Sequence, residues 1–174
     1  DRYWIFPTYS APFEEQLHPT YWTAQESIDF LERYKRDQPY FLKVSFHRPH
    51  PPFDPPQRWL DYYKKADLPE ATSSDWADKK YGHLDTIPPA DKPQTQPRGN
   101  FGAEIIRESR KGYYATMSFI DEQIGRLLQA LEKRGDLENT LILFTSDHGD
   151  MMGDHHLWRK TYAYEGSAHI PFFL

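Results

Sequence analysis

Two polar clusters in this chain each follow a short apolar run. His47-Arg-Pro-His50 comes directly after Tyr40-Phe-Leu-Lys-Val-Ser-Phe46, and Ser146-Asp-His-Gly-Asp150 comes directly after Thr140-Leu-Ile-Leu-Phe-Thr145. Asp147 offers a hard carboxylate oxygen and His148 an imidazole nitrogen, both metal-ligand types. Gly149 is expected to let the backbone turn sharply beside them. Asp154, His155, His156, Arg159 and Lys160 then follow within one stretch. A divalent ion together with cationic side chains is suited to an anionic substrate: it neutralises developing charge and stabilises a leaving oxygen. His50 sits between Pro49 and Pro51. The two rings restrict its backbone on both sides, giving a rigid mount.

Each motif also has a plainer reading. A strand followed by Ser-Asp-x-Gly can be a turn in which Asp caps the next element. His-Arg-Pro-His can be a solvated loop, and His155–His156 a surface pair. His18, His83 and His169 suggest no role. Two histidine-bearing loops at the ends of two strands favour a metal-assisted anion site, because ligands collect at the carboxyl ends of strands in open α/β sheets.

The elements that must position these residues follow from pattern. Thr23-Ala-Gln-Glu26 reads as a capping box, Ile28 and Leu31 follow at helical spacing, and Pro39 enforces a stop. The runs 40–46 and 140–145 read as buried strands. Five prolines between His47 and Pro56 make that stretch a rigid loop. Residues 57–103 show no regular pattern beyond a turn of helix near Gln57–Tyr63, and their aromatics favour an ordered excursion. Glu104–Arg134 is the strongest helix. Tyr113, Met117, Ile120, Ile124, Leu127, Leu128 and Leu131 form its apolar stripe, and Gly135 ends it. Helix, strand, excursion, helix, strand predicts an α/β unit with a parallel sheet.

Composition bounds the function. The 174 residues carry 21 Lys plus Arg against 26 Asp plus Glu, a net charge of −5, which argues against a general nucleic-acid binder. No apolar run is long enough to span a membrane. Leu, Ile, Val and Phe make up only 35 residues, a thin core, whereas aromatics reach 16%. That combination reads as a folded but incomplete piece. With no cysteine, disulfides, thiolate metal sites and cysteine nucleophiles are excluded.

Phe144-Thr-Ser-Asp-His-Gly-Asp150 followed by Gly153-Asp-His-His-Leu-Trp-Arg-Lys160 resembles the C-terminal signature of the sulfatase family, in the alkaline phosphatase superfamily. The helix Tyr113–Gly125 resembles the one preceding that signature. Ser45-Phe-His-Arg-Pro-His-Pro-Pro52 is similar to the family's Pro-His-x-Pro loop. The resemblance implies an α/β fold, part of a mixed, mainly parallel sheet flanked by helices. Residues 1–174 would be the middle and latter part of one catalytic domain, lacking the nucleophile segment.

By the same resemblance Asp147 and His148 match a pair of metal ligands. Lys160 matches a lysine on the sulfate and its bridging oxygen, and His50 a histidine that also holds the sulfate ester. His155 stands beside the metal ligands at most. The family nucleophile is a formylglycine from a Cys/Ser-x-Pro-x-Arg motif; Ser10-Ala-Pro12 continues with Phe13-Glu14 and does not match. The implied partner is a small-molecule or carbohydrate sulfate ester. The implied setting is periplasmic or secreted, and the chain by itself is expected to be inactive. Imidazole ligation favours zinc or manganese, whereas the resemblance implies calcium. A phosphonate monoester or phosphodiester hydrolase of the same superfamily, and a non-catalytic anion-binding domain, are the alternative readings.

Overall fold

The computed structural model describes residues 8–35, 38–83 and 98–174. The chain forms two compact units: one holds residues 67–110 and 141–174, the other residues 8–66 and 111–140.

The second unit contains helix α1 (Pro19–Arg33), helix α2 (Gln57–Tyr63) and most of the long helix α4 (Ala103–Arg134). Helix α1 begins four residues before the expected capping box. His18 is its N-cap: its Nδ1 accepts the Thr20 N–H at 3.0 Å, and Pro19 occupies the first turn, where its missing N–H costs nothing. Thr23 therefore lies inside the helix and donates its hydroxyl back to the Pro19 carbonyl at 2.8 Å. The helix ends at Arg33, ahead of Pro39.

Helix α4 ends as expected. Gly135 has φ 76°, and the Gly135 and Asp136 N–H groups donate to the Glu132 and Leu131 carbonyls at 2.9 and 3.0 Å. That pair of bonds is a Schellman motif. The buried face of α4 is largely not the apolar stripe, of which Leu131 is buried and Met117 is 45% exposed. Ser109, Arg110, Gly112, Ala115, Thr116, Phe119 and Gln123 are the other buried positions. Small residues win because α4 approaches the Thr8–Phe53 bridge closely: a Cβ at Gly112 would collide with Thr8 and Phe53.

Arg48 and Asp54 form an ion pair inside this unit. Arg48 Nε and Nη2 donate to Asp54 Oδ1 and Oδ2 at 2.6 and 2.8 Å. Fully buried His18 places Nε2 3.5 Å from Oδ1. Burial by itself would push the Asp54 carboxyl up, but the His18 and Arg48 contacts outweigh it and hold the group at about 2, below the ordinary 3.8.

The first unit contains helix α3 (Asp75–Tyr81), a 3₁₀ turn at Asp154–His156, helix α5 (Glu165–Ala168) and strands β1 (Phe144–Thr145) and β2 (Phe172–Phe173). Helix α3 lies where the sequence shows no regular pattern. Its seven residues turn only Ala77 and Tyr81 inward, too few for a legible period. The ladder described between β1 and β2 is antiparallel, Phe144 opposite Phe173 and Thr145 opposite Phe172, and no parallel pairing of named strands is described. Leu141 is 83% and Leu143 53% exposed, so the run read as a buried strand lies open among the described residues. Residues 40–46 alternate between half-buried and exposed, the period of an extended segment, yet no described residue pairs with them.

The depressed Asp54 pKa sets a direction for acid stability. Its contribution is complete above pH 3.8 and is lost as pH falls through about 2, amounting to about 2 kcal/mol. Urea unfolding compared at about pH 5 and about pH 2 should therefore show wild type losing more stability than Asp54→Asn. Equal acid sensitivity would assign the effect to other carboxylates.

Candidate active site

Asp147, His148 and Lys160 come together in the first unit. His148 Nδ1 lies 2.7 Å from the Gly149 carbonyl oxygen. A carbonyl only accepts, so Nδ1 carries the proton and Nε2 is left with its lone pair. That lone pair accepts a hydrogen bond from the Lys160 ammonium at 2.8 Å. Asp147 Oδ2 lies 3.5 Å from the same Nε2, and Asp147 Oδ1 accepts the His148 N–H at 3.0 Å. The Asp147 side chain is 85% exposed. What burial it has pushes its carboxyl up, but His148, the local backbone N–H groups and Lys160 hold it below the ordinary value.

Backbone packing holds this cluster in place. Gly149 is not in the left-handed region, so the expected sharp turn is not its reason for being glycine. Its N–H donates to the Ser167 carbonyl at 2.9 Å, and a Cβ would collide with the Gly166 carbonyl oxygen. Helix α5 can lie against the strand end only because both crossing residues lack side chains. Asp150 is half-buried beside it, and its Oδ1 accepts the Met152 and Arg159 N–H groups at 3.0 and 2.8 Å. Burial pushes the Asp150 carboxyl up, against those N–H bonds and the Arg159 charge. Lys160 sits between Arg159 at φ 64° and Thr161 at φ 78°, in a stretch where Met152, His155 and His156 are also left-handed. Such conformations are strained for side-chain-bearing residues and concentrate at sites that must hold an awkward geometry.

Arg110, which the sequence does not single out, pins the start of that stretch. It donates to the Met152 carbonyl (3.0 Å), the Pro69 carbonyl (2.8 Å) and Asp154 Oδ1 (2.7 Å). His155 does not join the Asp147–His148 pair. Its Nδ1 lies 3.2 Å from Ser74 Oγ, and its ring faces Trp76 and Tyr164. His156 donates to Asp78 at 2.7 Å.

His50 belongs to the second unit. Its Nδ1 lies 2.9 Å from the Pro51 carbonyl oxygen, so it carries the proton there and Nε2 bears the lone pair, the same device as in His148. Its neighbour His47 has the opposite tautomer: Arg48 Nη1 donates to His47 Nδ1 at 3.0 Å, which leaves the His47 proton on Nε2. The two rings are 5.0 Å apart. His18, given no role from sequence, supports this loop through Asp54. No spacing rule marks a residue 36 positions away as the partner of an aspartate.

The residues fit half of a metal site. Asp147 and His148 supply one carboxylate and one imidazole whose Nε2 lone pair is taken here by the Lys160 ammonium, and the Gly149 carbonyl orients the ring as outer partners of metal-bound histidines do. Among the described residues no group of three or more His, Asp or Glu side chains converges on a metal position. Any further ligands must come from elsewhere.

The sulfatase family model matches residues 3–174, and the chain belongs to that family. It is 48% identical over 162 residues to an arylsulfatase of Clostridium perfringens, covering 93% of this chain and 33% of the relative. It is 34% identical to a choline-sulfatase of Rhizobium meliloti, covering 87% of this chain and 30% of that protein. Among solved structures, the phosphonate monoester hydrolase of Agrobacterium radiobacter superposes with a TM-score of 0.76 at 30% identity, covering 94% of this chain and 34% of that one. The chain thus spans about a third of the length of the relatives it matches. The fold is that of a partial alkaline-phosphatase-like domain, mostly helical here with a small antiparallel sheet.

Packing at Gly149 gives a direct test. Gly149→Ala forces backbone apart and should cost about 1–3 kcal/mol. Gly125→Ala, with open space around the added methyl in mid-helix, should be neutral or stabilise by about 0.5–1 kcal/mol. Thermal melts of the two variants read the contrast, and a Gly149→Ala melt matching wild type would refute the close approach.

Proposed function

We propose that the protein carrying this chain is a metal-dependent sulfatase that hydrolyses aryl or carbohydrate sulfate esters. The observation that carries the reading is the His148 Nε2 lone pair beside exposed Asp147, occupied by the Lys160 ammonium, which a bound ion would displace toward the substrate. A cation donor and an ion-binding pair are adjacent in a chain of the sulfatase family. Asp147 and His148 would hold the divalent ion, with calcium the first choice by family resemblance and manganese or zinc the choices that imidazole chemistry favours. A bound ion supplies Lewis-acid neutralisation of the non-bridging sulfate oxygens.

This chain's own residues supply the remaining contacts in that reading. Lys160 donates a hydrogen bond to the bridging oxygen as the sulfur–oxygen bond breaks, stabilising the charge that develops there. His50 is the second sulfate contact. Its Nδ1–H is held by the Pro51 carbonyl, so it contacts a sulfate oxygen as a donor from Nε2 in the doubly protonated form. The nucleophile, a formylglycine by resemblance, is supplied outside these residues. Residues 40–46 and 140–145 are read as strands of a mainly parallel sheet completed outside this chain, and the setting as periplasmic or secreted.

Hydrolysis of phosphonate monoesters is the second reading, favoured by the superposition on the Agrobacterium radiobacter enzyme. Assaying the full-length protein on p-nitrophenyl sulfate and on a phosphonate monoester separates the two, the sulfate being preferred. Lys160→Ala should lower kcat about 10²–10⁴-fold with metal content retained. Asp147→Ala should abolish metal retention as read by elemental analysis. Unchanged metal stoichiometry in Asp147→Ala, or wild-type turnover in Lys160→Ala, would remove the respective assignment.

A further inference from the structure

We infer that Asp54, acting through Arg48, is a positioning residue for the His47–His50 loop, setting the place of its imidazoles and the tautomer of His47. The inference rests on the reading of His50 as a substrate contact and goes beyond it to what holds that contact.

The loop cannot hold itself. Five of the ten residues from His47 to Pro56 are proline and bring no N–H, and the internal backbone bond here is a long one, His50 N–H to the His47 carbonyl at 3.3 Å. Its far end is fixed to the core. Phe53 is fully buried, the Phe53 carbonyl accepts the Tyr9 N–H at 3.1 Å, and the Pro55 carbonyl accepts the Ala11 N–H at 3.4 Å. At its near end the Arg48 fork on Asp54 ties the residue before Pro49 to one six positions on, inside a site where Asp54 is 6% exposed. A planar guanidinium bound by two parallel bonds has little rotational freedom left, so its third nitrogen is aimed as well.

That third nitrogen makes the ion pair more than a clamp. Arg48 Nη1 donates to His47 Nδ1, and His47 packs its ring 5.0 Å from that of His50. Because Arg48 can only donate, it excludes the His47 tautomer that His50 itself adopts. Two neighbouring imidazoles thereby carry opposite outward faces, a donor at His47 Nε2 and an acceptor at His50 Nε2. Asp54 is held in turn by His18. Thr20 N–H occupies His18 Nδ1, which leaves the ring proton on Nε2, 3.5 Å from the carboxylate and outside hydrogen-bond geometry. The chain of support runs from the N-cap of α1 through Asp54 and Arg48 to the two histidines.

A double-mutant cycle on the full-length protein tests this, with p-nitrophenyl sulfate as the probe. Asp54→Asn and Arg48→Lys should each lower kcat/KM about 10–100-fold, the cost of a small displacement of a substrate contact. Placed in a His50→Ala background, the same changes should cost no more than about 2-fold further, because the group they position is gone. Arg48→Lys keeps a cation beside Asp54 and carries the cycle if Asp54→Asn does not fold. Imidazole ¹⁵N spectra of the folded Arg48→Lys variant should show His47 as a tautomer mixture, against a single Nε2–H tautomer in wild type, while His50 keeps its proton on Nδ1. Equal losses with and without His50, or unchanged tautomers and unchanged kcat/KM, would overturn the positioning role. Wild-type kcat/KM in His50→Ala would overturn the reading of His50 itself, and this inference with it.

Discussion

A loop that cannot build a hydrogen-bond ladder must be held by side chains, and in this chain arginine forks do much of that holding. Arg48 closes the proline-rich loop on Asp54. Arg110 gathers the Met152 and Pro69 carbonyls and the Asp154 carboxylate at the start of the left-handed stretch that leads to Lys160. Arg134 binds the carbonyls of Leu31 and Tyr34 past the end of α1. Each guanidinium offers five donors in one plane, so a single side chain satisfies several carbonyls that neither helix nor sheet can reach. Removing one partner from such a site leaves a buried charge or carbonyl uncompensated, which costs far more than a surface ion pair contributes.

The histidines show how a local bond sets chemistry. His50 and His148 each turn Nδ1–H onto the carbonyl of the following residue, at 2.9 and 2.7 Å, and so present Nε2 outward with a lone pair. An outward lone pair can accept a proton, take a hydrogen bond from an ammonium or bind a metal ion; it cannot donate to a sulfate oxygen. Lys160 uses this property of His148. His47 adopts the other tautomer because its neighbour on Nδ1 is a donor, Arg48. Ring orientation, not residue type, separates these roles.

The apolar strand segments are the other side of the fold. Leu141, Leu143, Phe172 and Phe173 are more than half exposed, and Phe144 stacks on Phe173 at 5.1 Å across the short antiparallel ladder. The core cluster of the first unit, Tyr81 with Met151 and Leu157, joins α3 to the loop stretch that leads to Lys160.

The sequence by itself determined the long helix with its Gly135 terminus, the proline-rich loop, and the placement of Asp147, His148 and Lys160 within one stretch. Those features are local. A 3.6-residue period, a left-handed glycine and a motif spacing are each readable within a few turns of chain. The tertiary structure decided which face of α4 is buried, because a close approach to Phe53 selects Gly112 and Ala115 over larger neighbours such as Met117. It decided where α1 starts, through His18, and that Gly149 is needed for clearance and not for a turn. It also made partners of His18, Arg48 and Asp54, and of Arg110 and Asp154. Those pairs are brought together only when separate segments pack, and burial then converts ordinary charged residues into fixed donors and acceptors. No periodicity in the chain carries that information, since a side chain's partner across the fold leaves no trace in its neighbours along the sequence.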